Sequence, residues 1–188
     1  MRNVLRRLTF GVAGAGMVVA MAAGPMTSVA SASVAAPQHA AVTAGHSYLT
    51  WPVVKYGDHG IRVRTVQYLL KAWGYHLVVT GRFGLVTKFA VKAFQKHCHL
   101  RPSGVVGQKT WPHLVITVKL GSKGYAVKAV QDQLRNAYRI HFVKITGIFD
   151  LKTKFAVKIF QLKYRILADG IVGLGTWNTL VKFDPKWA

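Results

Sequence analysis

Apolar positions recur at helical spacing in three segments, and the three segments then occur a second time. After the turn Gly57-Asp-His-Gly60, Val63, Val66, Leu70 and Trp73 predict a first helix of about four turns, ended by Gly74. A loop through Gly81-Arg-Phe-Gly84 leads to a second helix with Ala90, Val91, Phe94 and Cys98 on one face. A further loop, with Pro102, Gly104 and Gly107, precedes a short third helix containing Thr110, Trp111 and Leu114. The pattern restarts at Gly121-Ser-Lys-Gly124, with Val127, Val130, Leu134 and Ala137 facing inward, then Ala156, Val157, Phe160 and Tyr164. Asp169-Gly-Ile-Val-Gly173 and Thr176-Trp177 close the second round. The offset between copies is 64 at Gly121 and 66 at Gly147, a gain of two residues that is assigned to the intervening loop. No segment carries a convincing strand pattern. The predicted fold is all-α, two tandem small three-helix bundles.

The repeat is explicit in the residues. Thr87-Lys-Phe-Ala-Val-Lys-Ala-Phe-Gln95 returns as Thr153-Lys-Phe-Ala-Val-Lys-Ile-Phe-Gln161, and Phe83–Leu114 against Phe149–Leu180 gives 16 identities in 32 positions. One small unit is used twice, so the function lies in the unit or in its duplication. The predicted boundaries are 51–115 and 116–182, with a tail at 183–188. Upstream, 33–50 is rich in Ala, Ser and Thr without charge and predicts a flexible leader. Residues 1–32 have a basic start (Arg2, Arg6, Arg7), an apolar run from Leu8 to Gly24 and the small residues Ala30-Ser-Ala32. That is the plan of a cleaved secretory signal peptide, so a secreted or cell-wall location with no membrane span after cleavage is expected. Arg6-Arg7 leaves the export route, general or twin-arginine, open.

Charge narrows the partners. Cleavage after Ala32 removes three arginines and leaves 23 Lys and Arg against five Asp and no Glu, a formal +18. An anionic partner is implied: wall polymer, headgroup or nucleic acid, and export argues against a specific nucleic-acid target. Cys98 has no second cysteine to pair with, so the fold must hold by packing. Asp58, Asp132, Asp150, Asp169 and Asp184 are the whole carboxylate inventory, placed at helix starts, in loops, on a presumed helix surface and in the tail, not as an opposed pair for glycan hydrolysis. His97-Cys98-His99 are consecutive on a helix and diverge by about 100° each, so no metal site is predicted and no cofactor. The expected protein is not an enzyme.

The two copies share Gly-x-x-Gly, Val-x-x-Val-Gln-x-x-Leu, Gly-x-Phe-x-x-x-Thr-x-x-Ala-Val-x-x-Phe-Gln and Gly-x-Val-Gly-x-x-Thr-Trp. The first copy carries these at Gly57, Gly60, Val63, Val66, Gln67, Leu70, Gly81, Phe83, Thr87, Ala90, Val91, Phe94, Gln95, Gly104, Val106, Gly107, Thr110 and Trp111. The second carries them at Gly121, Gly124, Val127, Val130, Gln131, Leu134, Gly147, Phe149, Thr153, Ala156, Val157, Phe160, Gln161, Gly170, Val172, Gly173, Thr176 and Trp177, with Asp150 and Asp169 besides. This pattern resembles the peptidoglycan-binding domain 1 family. The resemblance implies a three-helix module that binds bacterial peptidoglycan, through its glycan strands or stem peptides. Anionic wall polymers are a further partner suggested by the charge. Gly84 and Ser103 in the first copy replace the Asp150 and Asp169 of the second, and Pro112 must lie in the first turn of its helix. The second copy is therefore expected to be the more stable.

The outward face of the second helix carries the candidate ligand contacts. Lys88, Lys92 and Lys96 form a basic stripe placed roughly opposite the core, with Phe89 beside them, and Lys154, Phe155 and Lys158 repeat it. Two outward aromatics at matching positions need a reason, either packing between the units or a platform for sugar or peptide. Trp111 and Trp177 are assigned either to the core or to the wall of a ligand groove and join Lys88, Phe89, Lys92, Lys154, Phe155 and Lys158 as candidate contacts. The alternatives to wall binding are a wall-lytic hydrolase, or an accessory chain to one, and a basic protein that binds polyanions by charge alone.

Overall fold

The structure, a computed structural model, describes residues 49–182. The predicted signal peptide, the leader before Leu49 and the tail at 183–188 lie outside the described residues. Six helices follow in order: α1 (Ile61–Ala72), α2 (Leu85–His97), α3 (Trp111–Leu114), α4 (Tyr125–Asp132), α5 (Leu151–Lys163) and α6 (Leu174–Lys182). Among the described residues there is no strand, only four isolated antiparallel bridges. Val54 pairs with Val106 and Val118 with Val172, each fastening the segment before a unit's first helix to the loop before its third. The all-α class holds.

Each helix forms where its apolar period meets a good start. Gly60 and Gly124 precede α1 and α4 at φ 108° and 107°, a conformation that side chains with a Cβ rarely adopt. Pro112 falls in the first turn of the four-residue α3, where its missing N–H has no partner to lose. Phe83, Phe94, Trp111 and Leu114 are fully buried in the first unit, as are Phe149, Phe160, Trp177 and Leu180 in the second. α1 spans 12 residues, nearer three turns than four; Trp73 is its C-cap, half outside, and sets its ring edge-on to Phe94 at 5.4 Å.

The two-residue gain of the second unit is not all in the loop. α4 runs directly into a π-helical turn, Gln133–Ala137, in which the Tyr138 amide donates to Gln133 five residues back. One extra residue is absorbed there. Leu70 and Leu134 correspond at an offset of 64, and each carbonyl accepts an amide beyond its helix, from Tyr75 and Ile140 respectively, at an offset of 65. Tyr138 thereby takes the place of Trp73: its ring lies 4.7 Å from Phe160, and its hydroxyl donates to Thr179 and Leu180.

α1 packs against α4, so the two units meet helix to helix. Besides the predicted Val63–Val66–Leu70 face, α1 buries Ile61, Thr65 and Leu69 at i, i+4 and i+8. α4 and its π-turn likewise bury Ala126, Ala129 and Gln133. Gln133 donates to Thr65 Oγ1 at 2.7 Å across this contact. Arg64 grips Asp132 with two hydrogen bonds, Nε to Oδ2 at 2.8 Å and Nη2 to Oδ1 at 3.0 Å. Asp132, expected on a solvated surface, is instead a buried carboxylate that also accepts from Asn136 at 2.6 Å. Leu49 and Thr50, at the end of the stretch expected to be flexible, are tied down: Leu49 packs on the core and accepts from Gln108, and Thr50 accepts from Asn178 at 3.1 Å.

Candidate functional site

The loops that shape the surface are held by one device used four times. Gln67, Gln95, Gln131 and Gln161 are each about 1% exposed or less. Gln67 Oε1 accepts the Gly81 amide at 2.9 Å while its Nε2 donates to Arg82 O and Thr87 Oγ1. Gln95 does the same for Gly104, Val105 and Thr110. In the second unit Gln131 holds Gly147, Ile148 and Thr153, and Gln161 holds Gly170, Ile171 and Thr176. A primary amide has both an acceptor and a donor, and a glutamine stem reaches from a helix to a neighbouring loop. The shared Gln and Thr positions are thus explained by loop holding.

On this frame Lys88 and Lys92 are not opposite the core. Their stems lie over Gly104, close enough that a Cβ there would meet Lys88 Cγ at 2.9 Å and Lys92 Cγ at 3.3 Å. Lys154 and Lys158 cover Gly170 in the same way, with Lys154 Cγ at 2.9 Å. These four lysines are half-buried, their stems packed and their ammonium groups carried to the rim of the loop. The buried face of α2 is wider than an apolar count indicates, because Thr87 and Gln95 belong to it. Phe89 and Phe155 stay 62% and 60% exposed, and packing between the units, one of the two reasons considered for them, falls to α1 and α4.

Trp111 and Trp177 leave the set of candidate contacts. Both rings are fully buried, and each indole N–H is spent inside the fold, Trp111 on Pro52 O and Trp177 on Ile116 O, both at 2.8 Å. Trp51 stacks on Trp111 at 5.7 Å and closes it off further. Neither ring can form a groove wall.

Next to Lys88 lies an open cleft of about 500 Å³, lined by Tyr56, Gly57, Asp58, His59, Arg82, Phe83 and Gly84. The bridge between His59 and Arg82 brings its two loops together. Lys88 Nζ stands 5.6 Å from the centre of the Tyr56 ring, a cation over an aromatic face at the cleft edge. Asp58, which also lines the cleft, accepts the Lys55 amide at 2.9 Å. Tyr56, His59 and Arg82 were missed by periodicity, since they sit in turns; their flanking glycines were the available signal. The same positions in the second unit are Leu120, Lys123 and Ile148, a markedly more apolar set.

The remaining carboxylates are engaged in the fold. Asp150 caps α5, accepting from the Thr153 amide and hydroxyl, both at 2.7 Å. The Thr153 hydroxyl, followed by its backbone amide, holds the Asp150 carboxyl below its ordinary range. Asp169 accepts from Gln161 and from the Ile171 amide. Gly84 offers α2 no such cap. Cys98 is partly buried, and that burial pushes its thiol up, the opposite of what a nucleophile requires. Among the described residues no cluster of three His, Cys, Asp or Glu side chains could hold a metal, and no helix is long and apolar enough to cross a membrane.

The model of the family described as "Putative peptidoglycan binding domain" matches this chain twice, at residues 59–114 and 123–180. The chain is also similar to a probable N-acetylmuramoyl-L-alanine amidase of Bacillus licheniformis. The identity is 32% over 162 residues, covering 71% of this chain and 46% of the amidase, so it spans about half of that relative. Among solved structures it is similar to a peptidoglycan-binding protein from Clostridioides difficile, in complex with glutamine hydroxamate. That match has 35% identity and a TM-score of 0.33 over 34% of this chain and 40% of the other.

Proposed function

Since this chain belongs to the peptidoglycan-binding domain family, represented in it twice in tandem, we propose that it is an exported, non-catalytic protein that attaches to the bacterial cell wall. The observation that carries the reading to a place on the surface is the first unit's cleft, where Tyr56, His59 and Arg82 converge beside Lys88. Such a cleft suits peptidoglycan chemistry. An aromatic face can lie on a sugar or a peptide carbon, while Arg and Lys receive stem-peptide carboxylates. Phe89 and Lys92 extend this surface along α2, and Lys154, Phe155 and Lys158 supply its counterpart on α5. Teichoic-type polyanions would add to the attraction through charge alone. Export rests on the signal-like residues 1–32.

The relative with an enzyme's name is an amidase of which this chain spans 46%. The four carboxylates of the described residues all serve caps, turns or the contact between units. Binding without catalysis follows as the economical reading.

The test is retention on purified sacculi, stripped of teichoic acid, across a salt series. Binding by a shaped cleft should persist at salt that abolishes binding by charge. Tyr56→Ala with Arg82→Ala should lower retention about tenfold or more, the weight of two contacts of roughly 1 kcal/mol each. Unchanged retention of that folded variant would remove the cleft from the site, and release of muropeptides would return the chain to the hydrolases.

A further inference from the structure

α5 carries an exposed apolar ridge that α2 does not. Leu151, Phe155, Ile159 and Leu162 recur at i, i+4, i+8 and i+11, which at about 100° per residue confines them to one sector about 80° wide. They are 71, 60, 37 and 67% exposed. The half-exposed Phe142 ring joins them, 6.2 Å from Phe155. The opposite face of the same helix (Thr153, Ala156, Val157, Phe160 and Gln161) is the buried one, so the ridge is surplus to the core. On α2 the corresponding residues are Leu85, Phe89, Ala93 and Lys96, and the ridge stops after its first turn.

The charges around the ridge say what can cover it. The same angular count sets Lys154 and Lys158 along one side and Lys152 and Lys163 along the other. The one carboxylate at this helix, Asp150, lies at its start and is held in the N-cap. A second copy of the chain would bring two lysine-flanked ridges together, like charge against like. An anionic bilayer surface instead offers phosphates to the lysines and an acyl boundary to the leucines. We propose that α5 docks the protein on an anionic membrane surface, with Leu151, Phe155, Ile159 and Leu162 entering the headgroup layer. This surface is separate from the first unit's cleft; Phe155 and the flanking Lys154 and Lys158 are shared with the wall-binding set, and the test therefore leaves all three untouched.

The experiment uses a chain beginning at Ser33, which removes the apolar run at 8–24 and keeps the compact unit Ala44–Ala188 whole. It is sedimented with vesicles of phosphatidylcholine, pure or mixed with phosphatidylglycerol. The variant is Ile159→Ala with Leu162→Lys, the residues α2 already has at these positions. Expected are binding to the anionic vesicles only, at least a tenfold loss in the variant despite its added positive charge, and unchanged retention on sacculi. Equal or tighter vesicle binding by the variant would mean that charge alone acts, and would overturn the proposal. So would absence of vesicle binding by the unmodified chain, a parallel loss of sacculus retention, or a concentration-dependent dimer that the variant abolishes. A thermal melt checks the fold, and Leu162→Lys alone, at a two-thirds exposed position, repeats the test if the double variant is loosened.

Discussion

Gly84 and Asp150 occupy the same helix start in the two units and differ by one carboxylate. Asp150 satisfies an amide of α5 and meets the positive end of that helix, whereas the first turn of α2 has no side-chain cap. Gly84 has an ordinary negative φ and open space where a Cβ would stand. Gly84→Asp should therefore stabilise the first unit, by about 0.5 kcal/mol, partly through the cap and partly through a less free unfolded chain. It should also place a negative charge at the rim of the cationic cleft and weaken retention on sacculi. A more stable variant with full retention in denaturation and binding assays would separate the cleft from the ligand. The cap on α5 was legible in the sequence because an Asp standing at a helix start is a local signal. The cleft was not, since Tyr56, His59 and Arg82 come from two loops 23 or more residues apart, joined by backbone hydrogen bonds around His59 and Arg82 that form only in the fold.

At the scale of elements, the buried glutamines explain why a polar residue recurs at the edge of an apolar helix face. Gln95 meets a loop amide, a loop carbonyl and the Thr110 hydroxyl within 3.0 Å, all behind the lysine stems that cover Gly104. Gln95→Ala would strand the buried Gly104 amide and leave Val105 O and the Thr110 hydroxyl with only their 3.3 Å bond to each other, each lost partner costing about 1–3 kcal/mol. A loss of roughly 3 kcal/mol is expected in urea unfolding, and faster amide exchange at Gly104 would locate it. A loss under 1 kcal/mol would mean that water replaces the side chain freely. Helix order and most of the apolar core were legible from periodicity, because Val63, Val66, Leu70, Phe94 and their counterparts recur at helical spacing on one face, whereas Phe89 and Phe155 are exposed. Two features were not. The second buried stripe of α1 runs through Thr65, and Thr does not announce a core position. The π-turn after α4 hides an inserted residue inside a helix, where a change of offset is naturally assigned to a loop.

The contact between the two units is made of groups that are costly to separate. Asp132 is 3% exposed at its side chain and Arg64 is 34% exposed, so the two partners are unequal. Removing Arg64 strands a buried carboxylate with Asn136 as its remaining side-chain partner, at a cost of about 3 kcal/mol. Asp132→Asn instead leaves Arg64 able to reach water and keeps a polar group for it, so the loss should be clearly smaller. Deleting the second unit would expose Ile61 and Leu69, and deleting the first would expose Ala126 and Ala129, confounding lost affinity with lost stability. A graded change at Arg64 is the cleaner probe of whether two packed units gain affinity together. Calorimetry of the unmodified chain should show a single cooperative transition, and Arg64→Ala should broaden or split it. If coupling between the units helps hold the wall, that variant should also lose sacculus retention at temperatures where both units remain folded. Retention that follows the fraction of folded protein, and nothing more, would show that each unit binds for itself.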